Sequence, residues 1–246
     1  MYPNGLICVL YTNCYKLYYN ISMEFIDFSI HNGYENMKID SDILDDAIKV
    51  GKRVPVFRLY GWSPACVSLG RNQREDFVDK EFLHSINVDV VRRLTGGRAL
   101  LHDNELTYSY VSPADIIPNG ENVTESYKYI SSIWINIFKT LGIELKIGTL
   151  PRHITHNNYC MAVSTGADLC YKGRKFIGSA QCRKQGYILQ HGSILIDYNK
   201  DFLNKIFKET TDFSTIISLK EINPDITLYA LVKAVKTYLE SEFQIK

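Results

Sequence analysis

Met23–Ser29 alternates apolar and polar side chains, the period of a strand with one face covered. Asn36–Val50 changes period. Met37, Ile43, Leu44, Ala47 and Ile48 recur at helical spacing, with acids on the opposite side, so an amphipathic helix is expected. Val54–Tyr60 reads as a strand, Gly61–Pro64 as a turn and Ala65–Leu69 as the returning strand. Arg74–Ile86 has helical spacing. Val88–Leu94 is β-branched and reads as a strand running into the tight turn Thr95-Gly96-Gly97, with Glu105–Ser112 as a further strand.

Thr124 is a good N-cap for a helix over Glu125–Leu141, ended by Gly142. Ile143–Ile147 reads as a strand and Leu150–Tyr159 as irregular chain. Leu169–Tyr171, Lys175–Arg183 and Tyr187–Asp197 read as strands joined at Lys172-Gly173 and Lys184-Gln185-Gly186. Asp201–Glu209 and Leu228–Phe243 read as closing helices. Strands fall in consecutive pairs with helices between the groups. That order predicts an α+β fold: a mixed, largely antiparallel central sheet flanked by helices, in one domain from Met23 to Lys246.

Residues 1–22 stand apart. They lack a basic leader and a small-residue cleavage site, so a signal peptide is not expected. They read as an extension outside the domain, either an arm or a translated stretch upstream of a start at Met23. The chain of 246 residues carries a formal net charge of +1, so no field favours nucleic acid or an anionic membrane. No apolar run approaches the roughly 20 residues of a membrane helix. Six cysteines, at 8, 14, 66, 160, 170 and 182, show no C-x-x-C pair and no framework spacing. Neither a zinc site nor a disulfide scaffold is indicated, and a cytoplasmic protein with free thiols is expected.

Two segments carry candidate chemistry. The first is Arg92-Arg93-Leu-Thr-Gly96-Gly97-Arg98-Ala-Leu-Leu-His102-Asp103-Asn-Glu105. A strand ending in two arginines meets a glycine pair that lets backbone approach a ligand closely, with Arg98 and His102 as further donors. The same residues also suit a plain β-hairpin with solvated arginines. The second is Gly173-Arg174-Lys175-Phe-Ile-Gly178-Ser179-Ala180-Gln181, followed by Gln190-His191-Gly192-Ser193. Regular alternation puts Lys175, Ile177 and Ser179 on one face, and Arg174, Phe176 and Gly178 on the other. A lysine there either snorkels to solvent or enters a cleft and polarises a carbonyl or thiol. His191 suits a structural hydrogen bond as well as a site.

Taken together, R-R-x-T-G-G-R-A-x-L-H-D-x-E-L-T-Y-S, G-R-K-x-x-G-S-A-Q and L-Q-H-G-S-I resemble the lipoate–protein ligase and octanoyltransferase family, whose catalytic fold is shared with biotin–protein ligases. Asn36-Met37 with Asp40, and Tyr60-Gly-Trp62-x-Pro64-x-x-Val67-Ser68-Leu69-Gly70-x-x-Gln73, are similar to two further blocks of that family. The resemblance runs from about Met23 to Asp197. Within the family it is nearest the cysteine-dependent octanoyltransferases of the LipM type. Those hold the acyl group on a cysteine placed like Cys160, with a thiolate-stabilising lysine placed like Lys175.

The resemblance implies an acyltransferase that moves octanoate from octanoyl-acyl carrier protein, through a Cys160 thioester, to a lysine of a lipoyl-domain protein. That acceptor would be of the kind of the glycine cleavage H protein or a 2-oxoacid dehydrogenase E2. It implies substrate contacts from Arg71, Arg93, Gly96, Gly97, Arg98, His102, Gly178, Ser179, Ala180 and His191. No cofactor and no metal are implied, and a monomer is expected. The alternative within the family is an ATP-dependent lipoate–protein ligase, which would need ATP and magnesium and leave Cys160 incidental. Gly96-Gly97-Arg98, where many ligases have a third glycine, and Glu105-Leu-Thr-Tyr favour the transferase. Met161, where transferases commonly carry Phe, and the loosely matching stretch to Asp168 depart from its pattern. Cys170, five residues from Lys175, is the rival nucleophile; Cys66 and Cys182 read as strand residues.

Overall fold

In the computed structural model, residues 22–149, 158–162, 164–208 and 211–246 are described. The extension before Ser22, with Cys8 and Cys14, lies outside them. So do most of Leu150–Tyr159, Val163 and Glu209.

An eight-stranded sheet forms the centre. Its first strand, β1 (Ser22–His31), leads into helix α1 (Gly33–Val50). The helix begins three residues before the hydrophobic period suggests. Asn32 accepts from the Glu35 amide, and the Glu35 side chain returns to Asn32, a reciprocal cap. Strand β2 (Val56–Trp62) is buried along its whole length, as is β6 (Glu105–Pro113). Strands β7 (Lys146–Ile147), β8 (Leu169–Tyr171), β9 (Arg174–Lys184), β10 (Tyr187–Leu195) and β11 (Gln244–Ile245) complete the order β11-β1-β2-β6-β10-β9-β8-β7. All neighbours are antiparallel except β11–β1 and β1–β2. The mixed, largely antiparallel sheet is therefore the one expected.

One expected hairpin is absent. Strand β3 (Cys66–Leu69) does not return along β2. It leaves the central sheet through the cis peptide Ser63–Pro64 and forms the middle of a separate three-stranded sheet. Its neighbours there are β4 (Asp89–Arg92), parallel, and β5 (Leu100–His102), antiparallel. The expected helix Arg74–Ile86 shrinks to α2 (Lys80–Ser85), capped by Asp79. The run before Asp79 is a turn instead, its Val78 amide donating to the Glu75 carbonyl at 3.0 Å, and Arg92 donates to the Gly70 and Gln73 carbonyls just ahead of it at 2.8 Å each.

The central sheet is covered on both faces, which explains strands apolar on both sides. One face carries α3 (Val123–Thr140) and α6 (Leu228–Glu242), packing Trp134, Ile137 and Leu231 against Phe57, Tyr108 and Phe176. The N-cap of α3 is Asn122 rather than Thr124; its side chain accepts from the Thr124 and Glu125 amides. The other face carries α1 and the small sheet, with α4 (Lys200–Phe207) packed against the latter. Helix α5 (Leu219–Ile222) and β11 were not signalled by periodicity; both are too short to show one. Among the described residues no helix is long and apolar enough to cross a membrane.

Candidate active site

Where the small sheet faces β6, β9 and β10, an apolar-walled cavity opens between them. Cys160 lines it, in a short 3₁₀ turn, Cys160–Ala162. The turn is pinned from both sides. Tyr159 bridges Ala99, and the Cys160 amide donates to the Ala99 carbonyl at 2.7 Å. Met161, fully buried, anchors it in the core beneath the small sheet. Cys160 itself stays partly exposed.

Lys175 reaches the same turn from β9. Its Nζ donates to the Cys160 carbonyl at 3.0 Å and lies 3.9 Å from Cys160 Sγ. It also pairs with Asp168 Oδ2 at 3.0 Å, both side chains being about 2% exposed. Asp168 is held in turn by the Thr165 amide and hydroxyl and by the Ser179 amide. Burial alone would push the lysine down, but the negative charge available on Cys160 and Asp168 outweighs it and holds Lys175 above its ordinary range. It is a fixed ammonium aimed at a thiol.

Strict alternation along β9 fails here. Cys170 faces Lys175, yet Leu169 faces Ile177, so Phe176 is an extra residue, a β-bulge. The bulge brings Lys175 and Gly178 to one side, where alternation separates them. A Cβ on Gly178 would sit 3.1 Å from Lys175 Cε and 3.0 Å from Met161 Sδ, so the lysine passes where a side chain would be. Ser179 falls on the Tyr108 side, its hydroxyl 3.0 Å from the Tyr108 hydroxyl.

The structure brings Cys160, Arg93, His102, Gly178, Ser179, Ala180 and His191 to the cavity, with Lys175 directly behind Cys160. Arg71, Gly96, Gly97 and Arg98 are not among the residues lining it. Arg71 is exposed and Gly96 and Gly97 are exposed turn backbone, in line with neither a plain hairpin nor an open cradle on the cavity wall. They are tied to the cavity through Arg93. That buried guanidinium uses all five N–H groups: Nε to Thr95 Oγ1, Nη1 to the Ser68 carbonyl and hydroxyl, Nη2 to the Gly96 and Arg98 carbonyls. Arg93 therefore shapes the glycine turn from inside.

Several cavity residues escaped the sequence: Ser68, Trp62, Thr107 and Ser193 line it, and Asp168 and Glu105 hold groups that do. Trp62 stacks on His102 at 4.0 Å and donates to Thr107 at 2.7 Å. The rival cysteines are placed elsewhere. Cys170 is buried behind Lys175 and Cys66 is fully buried, and burial pushes both thiols up. Cys182 lies farther along β9 and is likewise pushed up by burial. Among the described residues no group of three or more His, Cys, Asp or Glu is placed to hold a metal ion.

Comparison with known proteins agrees with this architecture. Residues 32–240 match the family of the lipoyl protein ligase A/B catalytic domain. The octanoyltransferase LipM of Clostridioides difficile is 40% identical over 190 residues, 74% of this chain and 70% of that protein. The octanoyltransferase LipM of Macrococcus caseolyticus is 33% identical over 242 residues, 90% and 87% of the two chains. Among solved structures, a lipoate-protein ligase A bound with ATP superposes with a TM-score of 0.71 at 20% identity, over 92% of this chain and 87% of that one. A bi-partite lipoate protein ligase of Thermoplasma acidophilum, described with its E2 lipoyl domain, gives 0.66 at 20% identity, over 92% and 85%. These two likenesses speak for the fold.

Proposed function

The chain belongs to the lipoyl protein ligase A/B catalytic-domain family, and we infer that it is an octanoyltransferase of protein lipoylation. The acceptor is a lipoyl-domain protein, and the donor is octanoyl-acyl carrier protein. The observation that carries the chemistry is the placement of Lys175 Nζ 3.0 Å from the Cys160 carbonyl and 3.9 Å from its sulfur, directly behind the wall of an apolar-walled cleft.

Cys160 thiolate attacks the thioester carbonyl of the donor; the carrier's sulfur leaves with the electron pair of the broken bond. The Lys175 ammonium, 3.9 Å from the sulfur, balances negative charge there as the attack proceeds. Met37, Trp62, Leu100 and Ala180 offer apolar wall to an acyl chain, and Gly178 leaves room beside Lys175. The glycine turn braced by Arg93 holds the donor near the cavity, with Arg71 and Arg98 on its flank. The acceptor lysine then attacks the Cys160 thioester and leaves as an amide. The donor thioester is already activated, and its conversion to an amide supplies the driving force, so the cycle as proposed calls for neither ATP nor metal.

The test is octanoylation of a lipoyl domain by purified protein with octanoyl-acyl carrier protein and no ATP. Transfer under those conditions supports the transferase. Modification only with ATP and free lipoate, undiminished in Cys160→Ser, would select the ligase instead.

A further inference from the structure

The second half-reaction asks for a group the thiol and its lysine do not supply. An acceptor lysine arrives as an ammonium and must shed a proton before its nitrogen can attack. Lys175 is not placed to take that proton: its ammonium is paired with Asp168 at 3.0 Å and sits behind Cys160, outside the residues that line the cavity. The base must come from another wall of the cavity.

Two histidines line it, and they are held alike. His102 lies between Ser68 Oγ, 2.7 Å from Nε2, and Glu105 Oε1, 2.7 Å from Nδ1. His191 lies between Thr95 Oγ1, 2.7 Å from Nε2, and Asp40 Oδ2, 3.3 Å from Nδ1. Arg93 donates to both hydroxyls, at 3.1 and 3.2 Å. Each hydroxyl thus accepts from arginine and has its own proton to give to an imidazole Nε2, while each Nδ1–H points at a carboxylate. Both rings present a basic lone pair at Nε2.

Charge separates them. Asp40 is already balanced by Arg58 at 2.8 Å and accepts from the Tyr60 and Ser109 hydroxyls as well. A proton on His191 would add a cation beside Arg58 and Arg93 with no free anion to meet it. Among the described residues Glu105 accepts side-chain hydrogen bonds only from His102 and from the neutral hydroxyls of Thr107 and Ser193, and no lysine or arginine is paired with it. An imidazolium at His102 therefore has a carboxylate waiting. Of the two hydroxyls, moreover, only Ser68 lines the cavity. His102 is also close in the fold to the thiol: Ala99 holds the Cys160 amide, and Leu100 and His102 follow on one face of β5, both lining the cavity.

We propose that His102, backed by Glu105 and reached through the Ser68 hydroxyl, is the base that takes the proton of the acceptor ammonium. The proposal rests on the octanoyltransferase function inferred above. The ammonium gives one proton to Ser68 Oγ as the Ser68 proton passes to His102 Nε2. The free amine attacks the thioester carbon, the new C–N bond forms, and the C–S bond breaks with its electron pair left on Cys160. The second proton of the nitrogen goes to that sulfur, and His102 returns the first to solvent.

The test starts from octanoyl-enzyme made with octanoyl-acyl carrier protein and freed of donor. It is chased with saturating lipoyl domain, or with hydroxylamine, which is largely unprotonated near neutral pH and needs no base. His102→Asn is expected to lower the lipoyl-domain rate by about 100-fold or more relative to the hydroxylamine rate. Glu105→Gln and Ser68→Ala should move the same ratio in the same direction, and they carry the test if His102→Asn does not fold. Equal slowing with both acceptors would mean a merely structural role, and no slowing would mean no role; either overturns the proposal. If wild-type enzyme never acquires octanoate, the proposal falls together with the transferase function, a failure seen before any acceptor is added.

Discussion

Replacing Lys175 by methionine removes the one cation that, among the described residues, is hydrogen-bonded to Cys160 Sγ, and the consequence can be worked from two distances. A unit charge about 4 Å from another is worth about 4 kcal/mol at the effective dielectric of ~20 that suits such sites. Asp168, 3.0 Å from the same ammonium, opposes roughly half of that at the sulfur, so removing the lysine alone forfeits ~4 kcal/mol of support for negative charge there, and removing the ion pair as a unit forfeits ~2 kcal/mol. As ~2 kcal/mol is at most about 30-fold in rate, alkylation of Cys160 by iodoacetamide should slow by about 5- to 30-fold when the pair is removed as a unit, and further when the lysine alone is replaced.

The single variant has a second cost, because it strands the Asp168 carboxylate at 2% exposure. Breaking a buried pair from one side costs ~3–5 kcal/mol, which for a domain of this size lowers Tm by roughly 10 °C. The double variant Lys175→Met with Asp168→Asn separates the two effects. It should regain most of the lost Tm and alkylate about 5- to 30-fold more slowly than wild type, yet faster than the single variant, in which Asp168 repels negative charge at the sulfur unopposed. The assay is alkylation followed by peptide mass mapping at Cys160, with thermal unfolding in parallel. A double variant that alkylates at the wild-type rate would refute the claim that this ammonium acts on the thiol.

Three further expectations concern the scaffold. Burial works to raise Asp40, but His191, Arg58 and Tyr60 outweigh it and hold the carboxyl below the usual range, so its contribution to stability is present above about pH 4 and is lost as pH falls through its folded value. Asp40→Asn should be ~3–5 kcal/mol less stable at neutral pH, since Arg58 is left without a carboxylate, and should show a shallower loss below pH 4; equal acid slopes by chemical denaturation would contradict this. Gly70→Ala would place a methyl group 1.9 Å from the Gly97 carbonyl oxygen, a clash no side-chain rotation relieves, so a loss of ~1–3 kcal/mol in stability with displacement of the Gly96–Gly97 turn is expected, read by unfolding and by weakened donor use. In native protein Cys66, fully buried with its thiol pushed up, should stay unlabelled while Cys160 reacts, and should label only on unfolding, as peptide mapping would show.

The parts of the fold that were legible in the sequence share one property: their period is long enough to register. Helices α1, α3 and α6 and strands β6, β9 and β10 each run nine residues or more and were placed within a few positions. The misplacements have local causes. Asn32 caps α1 ahead of its first apolar residue, and Asn122 displaces Thr124 as the cap of α3. Nothing in Gly61–Pro64 distinguishes a hairpin turn from a passage into another sheet, because that depends on which strand accepts β3. Of the site, Cys160 and Lys175 were named from family resemblance and do meet. Their shared wall with Gly178 could not be read, since it depends on a one-residue bulge at Phe176 that inverts the faces of β9. Ser68, Asp168 and Glu105 escaped for a related reason. Their importance lies in partners 34, 7 and 3 residues away, across strand pairings that no periodicity encodes.

The central claim is that octanoate rides on Cys160, and intact-protein mass spectrometry tests it most directly. Incubated with octanoyl-acyl carrier protein in the absence of ATP and of acceptor, the protein should gain the mass of one octanoyl group, mapping to the peptide that holds Cys160. The adduct should be absent from Cys160→Ala and discharged on addition of a lipoyl domain. An adduct that forms unchanged in Cys160→Ala, or wild-type protein that lipoylates its acceptor without ever carrying one, would contradict the account.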